Sequence, residues 1–81
     1  MPPWLDDLVR ANERSRGVLI ETLDAYANAN MNVLKTAKAL GIHPNTIYAR
    51  FQKIDDVTGK NALEYHNLTE LLLAAECLGP R

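Results

Sequence analysis

Side chains that can form directional hydrogen bonds are concentrated in a short part of this 81-residue sequence. The cluster consists of Asn45, Thr46, Tyr48, Arg50 and Lys53. Amide, hydroxyl and guanidinium groups can contact the edges of bases, and lysine and arginine can contact phosphates. These residue types therefore indicate recognition of a nucleic acid by hydrogen bonds rather than a bond-breaking reaction.

Patterns typical of catalysis or metal binding are not apparent in the sequence. The two histidines, His43 and His66, do not belong to a set of Cys, His and carboxylate residues with the spacing of a zinc site. There is no Ser-His-Asp set and no glycine-rich phosphate loop, and a small helical chain has little room for a substrate pocket. We therefore expect no enzymatic activity, no cofactor, no metal ion and no small-molecule ligand.

The hydrogen-bonding residues fall on the second of two predicted helices, in a stretch from Asn32 to about Val57. Asn32 suits an N-cap because its side-chain oxygen can accept a bond from a free backbone N–H group. Gly41 suits the end of the first helix because it adopts a left-handed conformation without strain. Pro44 suits the first position of the second helix, where its missing N–H group is not needed. Two helices joined by a short turn containing glycine are typical of a helix-turn-helix, whose second helix enters the DNA major groove.

Apolar residues at helical spacing give both helices a buried side. The predicted core positions are Leu34, Ala37 and Leu40 in the first helix and Ile47, Phe51 and Ile54 in the second. Residues of the second helix outside this stripe are expected to form its exposed surface. Asp55 and Asp56, at the far end of that helix, repel phosphates, so its N-terminal half is predicted to approach DNA.

Three further helices are predicted, which gives an all-α fold of four to five helices. One runs from about Trp4 to Arg14 and the next from about Val18 to Ala29. Asn67 is predicted to cap the last helix, with Glu70 at its third position. The predicted core positions of these flanking helices are Leu19, Leu23 and Tyr26, then Leu68, Leu71, Leu72, Ala75 and Leu78, and Gly79-Pro80 ends the last helix.

The composition is that of one small globular domain, with 47% hydrophobic and 23% charged residues. The single cysteine, Cys77, excludes an internal disulfide, favours a cytoplasmic location, and is expected to be buried among leucines. No apolar run is long enough to span a membrane. The net charge of −1 is low for a DNA-binding domain, but the segment from Asn32 to Lys60 carries +3 and the remainder −4.

The sequence AKALGIHPNTIYARFQKIDDVTG resembles the C-terminal helix-turn-helix of PucR-type bacterial transcription regulators, the regulators of sugar-diacid and purine catabolism. The matching positions are Leu40, Ile42, His43, Asn45, Thr46, Ile47, Arg50, Phe51, Ile54, Thr58 and Gly59. The resemblance extends from about Val18 to Leu78, and the helix pair is more distantly similar to the Fis-like helix-turn-helix. It implies a DNA-binding domain, residues 1–81, that forms the C-terminal part of a longer regulator with an N-terminal sensing region.

The residues that we expect to contact DNA, from their positions and from this resemblance, are Asn32, Lys35, His43, Pro44, Asn45, Thr46, Tyr48, Ala49, Arg50 and Lys53. For most of these residues, a structural role is an alternative to contact with DNA. Asn45 and Thr46 can cap the turn instead, and Lys35 can be a solvated surface lysine. Arg50 can reach a phosphate or hold a carboxylate such as Glu21 or Asp24. His43 is expected at the N-cap or in the turn, with its ring toward DNA.

The sequence departs from the family at three positions. Members of the family often have arginine after the histidine and basic or aromatic residues after the Thr-apolar pair, whereas Pro44, Tyr48 and Ala49 occupy these positions here. Fewer charges then face phosphates, which predicts weak affinity of the isolated domain or dependence on dimerisation.

We conclude from the sequence that the chain binds double-stranded DNA in a sequence-specific manner as the output domain of a transcription regulator, with residues 44–57 as the recognition helix. Binding as a homodimer would place two recognition helices about 34–36 Å apart on one face of DNA. The alternative is a helical protein-interaction module that keeps the fold without the DNA surface, which the net charge of −1 favours.

Overall fold

The computed structural model describes residues 2–77, and this part of the chain forms five α-helices without a strand. The helices are α1 (Pro3–Arg14), α2 (Val18–Asn28), α3 (Val33–Leu40), α4 (Pro44–Thr58) and α5 (Tyr65–Glu76). The predicted all-α fold class is therefore confirmed. The predicted core position Leu78 and the predicted helix end at Gly79-Pro80 lie outside the described residues.

Local signals in the sequence set the ends of α3 and α4. The side-chain oxygen of Asn32 accepts a hydrogen bond of 2.9 Å from the backbone N–H of Lys35, as expected of an N-cap. Gly41 ends α3 with a φ of +69°, a conformation that costs glycine little. Pro44 occupies the first turn of α4, and Gly59 ends that helix with a φ of +73°. All three predicted signals of the helix pair are confirmed.

Helix α2 contacts all four other helices, and α4 packs against α1, α2 and α3. Ile47, Phe51 and Ile54 are buried on the inner side of α4, as predicted. The ring of Tyr26 on α2 meets the ring of Phe51 edge to face, with centroids 4.9 Å apart. The core cluster comprises Leu8, Ala11, Leu19, Leu23, Tyr26, Ala37, Ile47, Phe51, Ile54, Ala62, Leu68 and Leu71.

The predicted buried side of α3 is wrong at Leu34, which is 70% exposed. The helix instead buries Thr36 and Ala37 and packs Val33 and Leu40 partly against the core. Thr36 can be buried because its hydroxyl donates a 2.7 Å hydrogen bond to the backbone carbonyl of Asn32. The hydroxyl of Thr36 thus has a hydrogen-bond partner at the start of its own helix. A count of apolar residues in the sequence does not reveal this partner.

The predicted start of α5 is also wrong. The helix begins at Tyr65 with Glu64 at the N-cap position, so Asn67 lies inside its first turn. Asn67 uses its side-chain amide to donate a 2.8 Å hydrogen bond to the carboxylate of Glu64. Glu70 takes no part in a capping box but pairs with Lys60 at 2.9 Å.

Cys77 is exposed, contrary to the prediction that it is buried. It lies at the C-cap of α5, one residue beyond the last helical turn, and therefore does not follow the inward stripe of that helix. Among residues 2–77, no helix combines the length and the apolar character that a membrane span requires.

Candidate nucleic-acid interface

The turn between α3 and α4 is closed by His43. Its ring atom Nδ1 accepts a 3.0 Å hydrogen bond from the backbone N–H of Asn45, so His43 is the N-cap of α4. A ring nitrogen that accepts a hydrogen bond carries no proton, so the proton of the neutral ring is on Nε2. Because His43 is exposed, this Nε2–H group is a donor at the surface beside the first turn of α4. The predicted N-cap is confirmed, and its orientation toward DNA stays a prediction.

The exposed side of α4 has a centre that consists of Asn45, Ala49 and Gln52. These residues are four and three positions apart and therefore lie on one side of the helix. Because His43 supplies the cap, the side chain of Asn45 is not required for that task. Small and amide side chains at the centre of such a surface can approach base edges, and an amide can form two hydrogen bonds with adenine.

Gln52 is absent from the predicted set of DNA contacts, although it is exposed. Its side-chain amide donates a 2.9 Å hydrogen bond to the carboxylate of Asp56, one turn further along α4. The signal that identifies it is its spacing of seven residues from Asn45, which is two helical turns. Asp56 holds this amide and also places a negative charge near the C-terminal end of the surface.

The two flanks of α4 carry different chemistry. Tyr48, which is 48% exposed, lies on one flank, whereas Thr46, Arg50 and Lys53 follow one another along the other. Tyr48 and Arg50 are two residues apart and are therefore separated by about 160° around the helix axis. A helix lying in the major groove faces one phosphate strand on each side, so the basic flank and the tyrosine flank would meet different strands.

Arg50 has a hydrogen-bond partner on α2 that its position in the sequence does not indicate. Its NH1 group donates a 3.0 Å hydrogen bond to the hydroxyl oxygen of Thr22 on α2. Thr22 is fully buried, and its own hydroxyl donates a 2.6 Å hydrogen bond to the backbone carbonyl of Val18. The guanidinium group is thus attached to α2 by a neutral hydroxyl.

The contact between α2 and α4 also affects Tyr26. Burial raises the pKa of the Tyr26 hydroxyl above its usual value of 10.0, and the nearby Tyr48 raises it further. Tyr26 therefore remains neutral in the folded protein at pH values where an exposed tyrosine begins to ionise.

The N-terminus of α3 contributes Asn32 and two lysines. Lys35 and Lys38 are exposed, and Asn32 holds the first turn of the helix through its cap. Free N–H groups and a partial positive charge at a helix N-terminus favour a phosphate.

Lys60, in contrast, does not belong to this surface. Its ammonium group pairs with Glu70 and lies 5.0 Å from the centre of the Trp4 ring. Lys60 therefore connects the segment after α4 to α1 and α5. The interface has one basic residue fewer than the sequence segment from Asn32 to Lys60 contains.

Other parts of the described chain contain no cluster of metal ligands but form an apolar groove. No group of three or more His, Cys, Asp and Glu residues within positions 2–77 could hold a metal ion. An open apolar groove of about 460 Å³ lies between α2 and α5 and shares no lining residue with α4. Two of its lining residues, Tyr65 and Leu73, are exposed large hydrophobic side chains.

Comparison with known proteins identifies the family of this helix pair. Residues 19–77 match the PucR C-terminal helix-turn-helix domain. Uncharacterized proteins of Mycobacterium tuberculosis and Mycobacterium bovis are 35% identical to the chain over 69 residues, which cover 85% of this chain and 17% of each relative. An uncharacterized protein of Haemophilus influenzae is 40% identical over 42 residues, covering 52% of this chain and 11% of its own length.

No solved structure matches the chain. The chain spans less than a fifth of the length of the curated relatives described above. The family match nevertheless covers most of the chain, from the second residue of α2 to the end of α5. The chain therefore belongs to the PucR C-terminal helix-turn-helix domain family.

Proposed function

We propose that this chain binds double-stranded DNA in a sequence-specific manner, as the output domain of a bacterial transcription regulator. The observation that carries the proposal is the arrangement of α3 and α4 around the His43 turn, which leaves the polar side of α4 at the surface. A second helix presented in this way is the element that helix-turn-helix proteins place in the major groove.

Each part of the surface has a task in this proposal. Asn45, Ala49 and Gln52 at the centre of α4 face the bases, and Tyr48 contacts one phosphate strand. Thr46, Arg50 and Lys53 contact the other strand. Asn32, Lys35, His43 and Pro44 face the backbone at the N-terminal ends of α3 and α4. Asp56 keeps the C-terminal end of α4 away from phosphates, which directs the N-terminal half into the groove.

The proposal includes the larger protein. Residues 1–81 form one DNA-binding domain of a longer, cytoplasmic regulator, as the short coverage of the relatives supports. Binding as a homodimer would place two copies of α4 one helical turn of DNA apart, about 34–36 Å. The modest number of free basic groups on α4 supports a dimer, because two copies double the phosphate contacts.

Fluorescence anisotropy with a labelled mixed-sequence duplex of about 30 base pairs, three turns of B-DNA, tests the proposal. The double variant Tyr48→Ala/Lys53→Ala removes one residue from each flank of α4. Its matched control, Tyr65→Ala/Lys60→Ala, removes the same residue types outside α4. We expect salt-dependent binding that the first variant weakens and the control retains. No binding at low salt by the wild-type domain, both alone and as a tethered dimer, or equal losses in both variants, would contradict the proposal.

A second candidate function, protein interaction, is favoured by the apolar groove between α2 and α5 with its exposed Tyr65 and Leu73. An exposed apolar patch of this kind is common at protein contacts. The anisotropy experiment separates the two functions, because a protein-interaction module that has lost the DNA surface would not bind the duplex at any salt concentration.

A further inference from the structure

The hydroxyl of Thr22 has a fixed orientation. It donates its hydrogen to the carbonyl of Val18 at 2.6 Å, so a lone pair of the oxygen is directed away from α2 toward α4. The NH1 group of Arg50 occupies that lone pair at 3.0 Å. Thr22 is fully buried whereas Arg50 is half-buried, so the hydrogen bond joins a buried hydroxyl to a side chain that remains partly accessible to solvent.

A guanidinium group has five N–H donors in a rigid plane, and the bond to Thr22 uses one of them. Holding that one donor restricts the movement of the others, because all five share one rigid plane. Because the acceptor is a neutral hydroxyl, the positive charge of the group is not cancelled by this contact. Arg50 also follows Thr46 by one turn and precedes Lys53 by one turn, on the flank that the proposed function assigns to one phosphate strand.

We propose that Thr22 is a positioning residue for DNA binding, which holds the guanidinium of Arg50 in the orientation that contacts a phosphate. The inference rests on the proposed function. Long side chains lose rotamer freedom when they bind, and an arginine that is already ordered in the free protein loses less. A buried residue on α2, which does not reach DNA itself, thereby contributes to affinity through α4.

A double-mutant cycle tests the inference in the protein with the same labelled duplex. Thr22→Val removes the hydroxyl and keeps the branched shape, Thr22→Ser keeps the hydroxyl, and Arg50→Met removes the guanidinium. The cycle is completed by Thr22→Val/Arg50→Met. Urea unfolding of every variant shows whether a loss of binding comes from partial unfolding, and Thr22→Ala, which also lacks the hydroxyl, replaces Thr22→Val in the cycle if that variant does not fold.

We expect Thr22→Val to weaken DNA binding by about two- to tenfold, the effect of one net hydrogen bond on an equilibrium constant. In the Arg50→Met background the same substitution should have little effect on binding, and Thr22→Ser should bind nearly as well as the wild type. An equal loss from Thr22→Val in both backgrounds, or no loss in the wild-type background, would overturn the inference while leaving the proposed function intact. Failure of the wild-type protein to bind DNA both alone and as a tethered dimer would overturn both.

Discussion

His43 has two ring nitrogens with different environments. Nδ1 closes the first turn of α4 through the backbone N–H of Asn45, and the opposite side of the ring lies at the surface. One side chain therefore stabilises the helix and, in the proposed function, offers a donor to a phosphate. The two roles depend on different atoms, so substitutions can separate them.

Substitution of His43 should have different effects on stability and on DNA binding. His43→Ala removes the cap and should lower the free energy of unfolding by about 1 kcal/mol, the usual effect of losing an N-cap. His43→Asp restores an acceptor, so its stability in urea unfolding should return close to that of the wild type. The carboxylate, however, repels phosphate, and DNA affinity should remain low. Equal stability of His43→Ala and wild type would show that the ring does not cap α4.

The raised pKa of Tyr26 predicts a loss of stability at alkaline pH. Below the usual value of 10.0 the hydroxyl is protonated in both the folded and the unfolded chain, so it has no effect on the pH dependence. Above that value the unfolded chain releases the proton first, and stability falls by at most about 1.4 kcal/mol per pH unit for this group.

Urea unfolding near pH 9 and near pH 11 measures this effect of Tyr26. The wild type should lose more stability between the two pH values than Tyr26→Phe, in which the other tyrosines and lysines still titrate. Tyr48→Phe should show an intermediate loss, because Tyr48 contributes to the raised pKa. Parallel pH curves for wild type and Tyr26→Phe would contradict the prediction.

At the scale of elements, α3 is a helix of eight residues, and the capping residues at its two ends set where it begins and stops. Asn32 satisfies a free N–H group at its start, and Gly41 adopts the left-handed conformation at its end. A helix this short is not stable alone, so its position depends on packing against α2 and α4.

Gly41→Ala should destabilise the protein through backbone strain alone, because no atom beyond its two chain neighbours lies within 4 Å of an added Cβ. The expected loss is about 1–2 kcal/mol, the cost of the left-handed conformation for a residue with a Cβ. Leu34→Ala on the same helix is the matched control, and its effect should stay within about 0.5 kcal/mol because Leu34 is exposed. Urea unfolding measures both variants. A loss of about 2–5 kcal/mol for Leu34→Ala would instead indicate a buried leucine.

The same helix shows which features of the structure the sequence could predict. Caps and helix ends depend on neighbouring residues, so Asn32, Gly41 and Pro44 could be assigned from local rules. The buried side of α3 could not, because two helical turns contain too few apolar residues to define a stripe. Packing against the neighbouring helices buries Thr36 and leaves Leu34 exposed.

Contacts between helices that are distant in sequence account for the other differences. Arg50 could be placed beside the buried stripe of α4, but its hydrogen bond to Thr22 joins residues 28 positions apart. Lys60 belongs to the basic segment in the sequence, whereas in the structure its ammonium group contacts Glu70 and Trp4. Of the candidate DNA surface, the exposed side of α4 could therefore be predicted, whereas the partners that fix its side chains could not.

At the scale of the whole molecule, the net charge of −1 provides no general attraction to DNA. Binding must then come from local contacts, and each phosphate contact releases counterions, which makes affinity depend on salt. The expected slope of log affinity against log salt is about −0.9 per contact, so Lys35, Arg50 and Lys53 together give about −2.7 for one copy and about −5.4 for a dimer.

The slope also reveals how many copies bind. Lys53→Ala removes one contact per copy and should make the slope less steep by about 0.9 if one copy binds and by about 1.8 if two copies bind. Lys60→Ala changes the net charge by the same amount, but its ammonium group is held by Glu70, so its slope should match that of the wild type. Anisotropy titrations at several salt concentrations measure all three slopes. Equal changes for both variants would mean that the total charge, and not the surface of α4, governs binding, and the placement of Lys53 against phosphate would then be wrong.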